Sequence, residues 1–408
     1  MRRASESDVA DRLASLPGVE PRVVVSGNFA APLELLRILD AALPRVRAFT
    51  LNIQGDWPRR DGFLTETPFV GPGVRGDPAM EYLPMRLSLV PRLFETSRPP
   101  DAVLLHTSMP RDGKVSLGIE VNILPAAVEQ VRARGGLVVA QVNPRMPFTR
   151  GDALLDVDQV DLAFEVDATL PSPGTRSTDD LSAAISDRVA AYASDGGTVQ
   201  LGIGRIPDAA AEALRGRHGL GVWSEMVGDG LLDLDRAGAL DPSRPVSSSF
   251  LFGSPELYAW ADDNPRLVMR RTEVINDPAR IAAQPAMLSV NTALQVDLFD
   301  QANASYVRSR IYSGFGGQPD FVAGALHSAG GHAVVALRSW HDRSGTSTIV
   351  PRLVDPATSF QHSVIVTEHG AAEVFGMSNV EQARLLIDRT ADPRARDMLR
   401  EAAGPTIA

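Results

Sequence analysis

The sequence predicts an α/β protein of two domains, each built on a mainly parallel sheet. Apolar, β-branched runs alternate with helical patterns along the chain, which is the signature of strand–helix–strand units. At 408 residues the chain exceeds what one hydrophobic core usually serves. A strand running into glycines at 198–204 then restarts the cycle midway.

In order, Arg22 to Gly27 reads as a buried strand and Pro32 to Leu43, with leucines at helical spacing, as the helix after it. Ala102–Leu105, Leu137–Val142 and Leu162–Val166 are further strands. Pro171 to Thr178 is a loop by composition, and a helix from about Ser177 to Tyr192 closes the first half. The second cycle opens with the strand Thr198 to Gly204, Pro207 at a first helical position, and the alanine-rich run Asp208 to Leu214. Flexible, polar Ser194-Asp-Gly-Gly197 marks the boundary, giving domains 1–195 and 196–408. Met287 to Phe299 alternates as one half-buried strand, with Gln295 sharing a face with Asn291 and Asp297. Tyr306 to Tyr312 is strand-like, and Val380 to Ala403 is a charged amphipathic helical region.

With 44% hydrophobic and 22% charged residues, the composition is that of an ordinary globular protein. A net charge of −10 argues against wrapping a nucleic-acid backbone. The absence of cysteine excludes disulfides, thiolate nucleophiles and sulfur-ligated zinc. No long uncharged apolar run suggests a membrane span, and no apolar stretch behind Arg2-Arg3 suggests a signal peptide. The seven histidines include no pair at metal-ligand spacing on a helix, so no metal site is expected, and His106, His332, His362 and His369 read as structural, with lining of the cleft the alternative for His369. Gly202-Ile-Gly204 lacks the third glycine of a dinucleotide fingerprint, and no Gly-x-Ser-x-Gly elbow occurs.

Several strings, in order along almost the whole chain, resemble the acetyl-CoA hydrolase/transferase family, which includes acetate and 4-hydroxybutyrate CoA-transferases. They are Ser116-Leu-Gly118, Ala140 to Pro147 with Gly151-Asp152, Phe164-Glu-Val-Asp167, Gly202 to Pro207, Glu225 to Gly230, Phe252-Gly-Ser254 with Tyr258, Asn276-Asp-Pro278 and Gly314 to Phe321. The resemblance implies two open α/β domains of the CoA-transferase (NagB/RpiA-like) type with an acyl-CoA site in the cleft between them. It also implies coenzyme A as part of the substrate and ping-pong chemistry, in which a glutamate carboxylate attacks the thioester. The family strand Asn-Ser-Ala-Ile-Glu-Val-Asp-Leu aligns without gaps on Asn291 to Leu298, which puts Gln295 in the nucleophile's place. A carboxamide can donate and accept hydrogen bonds, but it does not attack a thioester at a useful rate.

The candidate site therefore comprises Gln295, Glu225, Asp297 and His369 for chemistry. Asn291, Gly202, Gly204, Gly314, Gly316, Gly317 and Asp320 are candidates for oxyanion or substrate binding. The glycines permit close backbone approach, and successive N–H groups there can cradle an oxyanion. Glu225 and Asp229 flank a strand-to-helix junction, and His369 stands where the family usually has tyrosine. Phe375 and Met377 replace family basic residues in Phe-Gly-Met-Ser, and Thr348 stands where arginine is common. Losing several cations together suggests an altered ligand and a natural divergence, since a single engineered change would leave the surroundings intact.

The leading expectation is an enzyme that transfers an acyl group from a thioester by direct attack of a second substrate, without a glutamyl-CoA intermediate. Ordinary CoA transfer or hydrolysis is the second expectation, and a catalytically silent ligand-binding homologue the third. We expect a cytoplasmic homodimer acting on small molecules, with neither nucleic acid nor membrane as partner.

Overall fold

Runs of β-branched residues form the strands because both faces of a parallel sheet are buried, so the strands need apolar side chains on either side. Val23, Val24 and Val25 are fully buried, as are Val138, Val139 and Ala140. The structure, a computed structural model, describes residues 1–173, 179–202, 204–357 and 359–404. Most of the predicted loop 171–178, the start of the helix that follows it, and residue 203 of the predicted turn lie outside these.

The chain forms two units, one of residues 1–173 and 245–275 and the other of 174–244 and 276–408. The sequence reading drew one cut near 195; the chain instead crosses at 173/174, 244/245 and 275/276. The excursion is fixed by pairing: Leu267–Met269 lies parallel between Val246–Leu251 and Arg150–Gly151, and bridges join Glu120 to Phe250 and Asn122 to Arg271.

In the first unit, eight strands lie in the order Arg2–Arg3, Leu162–Glu165, Leu137–Val142, Ala102–Thr107, Arg22–Val25, Val46–Phe49, Phe63–Thr67, Met80–Tyr82, all parallel. The order reverses between Arg22–Val25 and Ala102–Thr107, where α/β sheets commonly open a ligand crevice. Here the Gln141 side chain occupies the start of helix Leu33–Ala42, with its Oε1 accepting from the N–H groups of Glu34 and Leu35 at 3.1 and 3.3 Å. Buried Glu66 is held by Arg22, Arg98 and Arg47 at 2.7, 2.9 and 3.3 Å.

In the second unit, Val364–Thr367, His332–Ala336, Met287–Asn291, Thr198–Gln200 and Gly221–Val227 are parallel neighbours in that order, and Gly370–Glu373 adds antiparallel to the first. The chain runs from Thr198–Gln200 outward one way and from Met287–Asn291 outward the other, so the switch point lies between these two strands. Helix Arg205–Ala213 starts two residues before Pro207, which takes its third position.

Two strand readings need correction. Met287 to Phe299 is not one strand: Met287–Asn291 belongs to the main sheet, and Gln295–Asp297 pairs with Ala302–Asn303 and Ile349–Val350 in a separate small sheet. The N–H of Leu294 donates to the Asn303 carbonyl at 2.8 Å, which pulls the chain out of its first sheet, so Asn291 and Gln295 share no strand face. Tyr306 to Tyr312 is a tight hairpin turning at Arg308 and Ser309, both with φ above +50°, the turn geometry whose twist matches paired strands. The C-terminal region contains helices Asn379–Leu385 and Arg396–Ala403, separated by a wider helical turn. No helix among the described residues is long and apolar enough to cross a membrane.

Candidate active site

The switch point of the second unit carries a polar relay in an otherwise apolar layer. Asn291 donates through Nδ2 to Ser289 Oγ at 2.9 Å, and Ser289 donates in turn to Gln200 Oε1 at 2.8 Å. Gln200 and Ser289 are buried, so each hydrogen bond removes a cost that an unpaired group would carry. Asn291 was expected at the site; Gln200 and Ser289 were not. Their signal in the sequence was weak: one glutamine inside Thr198–Gly204 and one serine between Leu288 and Val290.

Past Asn291, Gln295 opens its short strand, partly buried. Its carboxamide makes no hydrogen bond among the described residues, so both its donor and its acceptor remain available. Asp297 differs. Its Oδ1 accepts from the N–H groups of Phe299 and Gln301 at 3.0 Å each and its Oδ2 from Leu353 at 3.1 Å, which makes it a buried organiser of the following turn. A carboxylate so occupied is a poor base.

Glu225 lies near the end of strand Gly221–Val227 and Asp229 caps helix Gly230–Arg236, so the two flank the strand-to-helix junction as expected. Glu225 Oε2 accepts from Asn276 Nδ2 at 2.7 Å. Burial pushes the Glu225 carboxyl up to about 7, the negative charge of Asp320 adds to the shift, and the Asn276 hydrogen bond opposes it. Asp320 is fully buried in the first turn of helix Gln318–His327. Immediately before that helix, a Cβ on Gly317 would stand 1.9 Å from Glu225 Oε2 and 2.2 Å from Asn276 Nδ2, so residue 317 has to be glycine for this packing. Gly316 has φ +52°, a conformation that costs glycine little. None of the N–H groups of Gly314, Phe315, Gly316 and Gly317 finds an acceptor among the described residues. These donors precede a ten-residue helix whose dipole favours negative charge at that end. The structure thus brings Glu225, Asn276, Asp320 and the Gly314–Gly317 segment together. Asn276 was quoted in the sequence only as part of a string.

Gly202 follows the strand Thr198–Gln200, and Gly204 caps helix Arg205–Ala213. A Cβ on Gly202 would meet nothing closer than Pro207 Cγ at 3.8 Å. His369 is part of a separate group, with Nε2 3.7 Å from Glu368 Oε1 and 3.8 Å from Asp392 Oδ2. No hydrogen bond or ion pair among the described residues joins it to Gln295, Glu225 or the glycine segment. Glu368, His369 and Asp392 have ligand atoms close enough to hold a metal ion, which spacing in the sequence did not suggest. Both carboxylates are already engaged: Glu368 by the N–H and hydroxyl of Ser339, Asp392 by the Arg394 guanidinium, which holds its carboxyl down at about 2.

Of the residues that depart from the expected basic pattern, Thr348 is buried with its hydroxyl donating to the Arg338 carbonyl at 2.6 Å. Phe375 and Met377 are 59% and 40% exposed, so apolar surface stands where charge was expected. His106 is buried and its imidazole is pushed down to about 4 by the loss of water, which keeps it neutral. His362 is buried with Nδ1 2.7 Å from Asp300 Oδ1.

Comparison with known proteins places the whole chain beside one family. Residues 63–171 match the acetyl-CoA hydrolase/transferase N-terminal domain and residues 253–403 the C-terminal domain of the same family. A 4-hydroxybutyrate coenzyme A transferase of Clostridium kluyveri is 34% identical over 331 residues, covering 78% of this chain and 76% of that protein. The crystal structure of RipA from Yersinia pestis superimposes with a TM-score of 0.89 at 27% identity over 97% of this chain and 96% of that one. A 4-hydroxybutyrate CoA-transferase from Porphyromonas gingivalis gives 0.82 at 30% identity over 98% and 96%.

Proposed function

The chain belongs to the acetyl-CoA hydrolase/transferase family, and from that premise we propose that it transfers an acyl group from a CoA thioester directly to a second substrate, without a covalent glutamyl intermediate. Two observations support this reading: the Gln295 carboxamide makes no hydrogen bond among the described residues, and burial pushes the Glu225 carboxyl up to about 7. A group of that pKa suits general acid–base work, and a carboxamide at position 295 supplies no nucleophile.

In this mechanism the acceptor's O–H or N–H gives its proton to the Glu225 carboxylate as its heteroatom attacks the thioester carbon. The carbonyl electron pair moves to oxygen, and the resulting oxyanion is stabilised by N–H groups of the Gly314–Gly317 segment. Collapse re-forms the carbonyl and breaks the carbon–sulfur bond, and CoA leaves as the thiol with the proton from Glu225. Gln295 and Asn291 orient the thioester or the acceptor through their amides.

The names of the relatives favour a second reading, CoA transfer or hydrolysis; with water as acceptor the same proton path gives hydrolysis. The test is consumption of short acyl-CoAs followed by chromatography with hydroxyl, amine and carboxylate acceptors in turn. Consumption that requires a hydroxyl or amine and yields free CoA supports direct transfer. Consumption with water alone marks a hydrolase, and new acyl-CoA formed from a carboxylate marks CoA transfer. Binding without consumption in any arm marks a silent homologue.

A further inference from the structure

A cavity of about 770 Å³ lies in the first unit, within the roughly 300–1,000 Å³ of small-molecule sites. The residues lining it precede or open four parallel strands: Glu20 lies ahead of Arg22–Val25, Arg45 ahead of Val46–Phe49, Arg59, Arg60 and Asp61 ahead of Phe63–Thr67, and Asp77 ahead of Met80–Tyr82. The cavity therefore sits at the amino ends of these strands, the opposite edge from the carboxyl ends where α/β sheets usually bind their ligands. The acyl-transfer reading makes no use of it.

Its charges are only partly matched. Arg45 pairs with Glu20 at 3.1 Å, and Arg60 turns to Asp40 at 2.7 Å. Arg59 is exposed; its Nη2 donates to the Gly73 carbonyl at 2.5 Å, and it has no acidic partner among the described residues. Asp77 is only 8% exposed, and its Oδ1 accepts from the Ala79 N–H at 2.9 Å. Its Oδ2 is buried with no hydrogen-bond partner among the described residues. A buried carboxylate oxygen is costly unless something donates to it. One turn anchors both groups: Arg59 donates to Gly73 within Pro72–Val74, and the Asp77 N–H donates to the Val74 carbonyl at 3.1 Å. Asp61, exposed, adds a carboxylate whose side chain makes no hydrogen bond among the described residues.

We propose that this cavity binds a small zwitterion of the amino-acid class, with its carboxylate on the Arg59 guanidinium and its ammonium at Asp77 Oδ2. A guanidinium presents the planar fork that matches a carboxylate, and an ammonium brings three donors to an oxygen that has none. Asp61 and Asp77 together outweigh Arg59, so an acid without the amine is repelled, and an amine without the acid leaves Arg59 unmatched. The volume leaves room for a side chain beyond the two charged groups.

The test is calorimetry of the full chain with individual amino acids and, for the tightest binder, with the matched amine and the matched acid that each lack one charged group. Loss of either group should weaken binding roughly ten- to hundredfold, the scale of a lost charge-assisted hydrogen bond. Arg59→Gln should weaken the amino acid by a similar factor and leave the matched amine unchanged. Asp77→Asn, which keeps an acceptor for Ala79, should weaken both the amino acid and the amine. Should Asp77→Asn fail to fold, Arg59→Gln still decides, because residue 59 is exposed. Binding of no amino acid would overturn the proposal, as would amino-acid binding that Arg59→Gln leaves intact. A matched acid binding as tightly as its amino acid would overturn the place given to the ammonium.

Discussion

Gly317 stands so close to Glu225 that a methyl group on residue 317 would overlap the carboxylate, 1.9 Å from Oε2. The backbone conformation of Gly317 is ordinary, with φ −86° and ψ −7°, so contact rather than torsion requires glycine here. Gly317→Ala should therefore displace Glu225 and Asn276, or move the donor segment off its position. A loss of about 100-fold in kcat/KM is expected, on the scale of losing one oxyanion donor, together with about 1–3 kcal/mol of stability from overpacking. Steady-state kinetics and urea denaturation on the same variant check both; unchanged kinetics would remove the segment from the mechanism.

With Glu225 as the base of the proposed mechanism, both stability and rate should depend on pH. Its folded pKa, raised from 4.5 to about 7, means that the folded state holds a proton that the unfolded state releases between those values. Stability should thus fall as pH rises from about 4.5 to about 7 and stay lower above that, by up to about 3 kcal/mol from this group. Glu225→Gln should remove the slope, leaving a protein of similar stability near pH 4.5 and greater relative stability near pH 8. As a base, Glu225 works when ionised, so kcat/KM should climb to a plateau above pH 7, and that limb should vanish in the variant. Thermal denaturation and pH–rate profiles of the two proteins check these outcomes.

Much of this geometry is hidden from linear reading, for identifiable reasons. Strands such as Leu137–Val142 are legible because burial on both faces writes an unbroken apolar run. The break after Asn291 is not, because Leu294, Val296 and Leu298 continue the alternation of Leu288 and Val290 although the chain has changed sheets. Periodicity reports burial and says nothing about the partner strand. Glu225 could be singled out by its motif, but its environment comes from residue 276, 51 positions away, and from the absence of a side chain at 317. Asp297 shows the converse: a carboxylate beside the aligned nucleophile position looks chemical in sequence and is consumed by three backbone N–H groups in the fold.

Ser289 links Asn291 to Gln200 and is fully buried, so Ser289→Ala should leave the Gln200 carbonyl without its donor. About 1–3 kcal/mol of destabilisation is expected, with Asn291 losing its anchor. Ser289→Thr, which keeps the hydroxyl, should recover part of the loss. Denaturation midpoints of the two variants check this, and equal behaviour would mean that the relay contributes packing alone.

The exposed Phe375 and Met377 predict weak, nearly salt-independent binding of CoA, since neither can pair with phosphate. Phe375→Arg with Met377→Lys should tighten CoA by about three- to tenfold, as expected of two exposed pairs, and the gain should disappear in high salt. Calorimetry across a salt series checks this. Wild-type binding that is submicromolar and falls steeply with salt would show that other cations hold the phosphates.

A carboxylate and a carboxamide at position 295 differ in nucleophilicity while matching in size. The Gln295 carboxamide makes no hydrogen bond among the described residues, so its replacement by glutamate breaks no side-chain hydrogen bond and changes volume little. The wild-type protein, incubated with a panel of acyl-CoAs and analysed by intact-protein mass spectrometry, should show no covalent CoA adduct, because residue 295 supplies no nucleophilic oxygen. Gln295→Glu should give a trappable adduct that maps to residue 295, and slow CoA transfer to a carboxylate acceptor. The new carboxylate would attack the thioester carbon and release CoA thiolate, which then attacks the mixed anhydride to give the glutamyl thioester and free acid. The same substitution should slow direct transfer, because the amide that orients the substrate in the proposed mechanism is lost. A wild-type adduct at residue 295 would refute the direct-attack mechanism, since it would require an acid at that position. An adduct in Gln295→Glu with direct transfer undiminished would show instead that Gln295 is a bystander, and would shift the orienting role to Asn291.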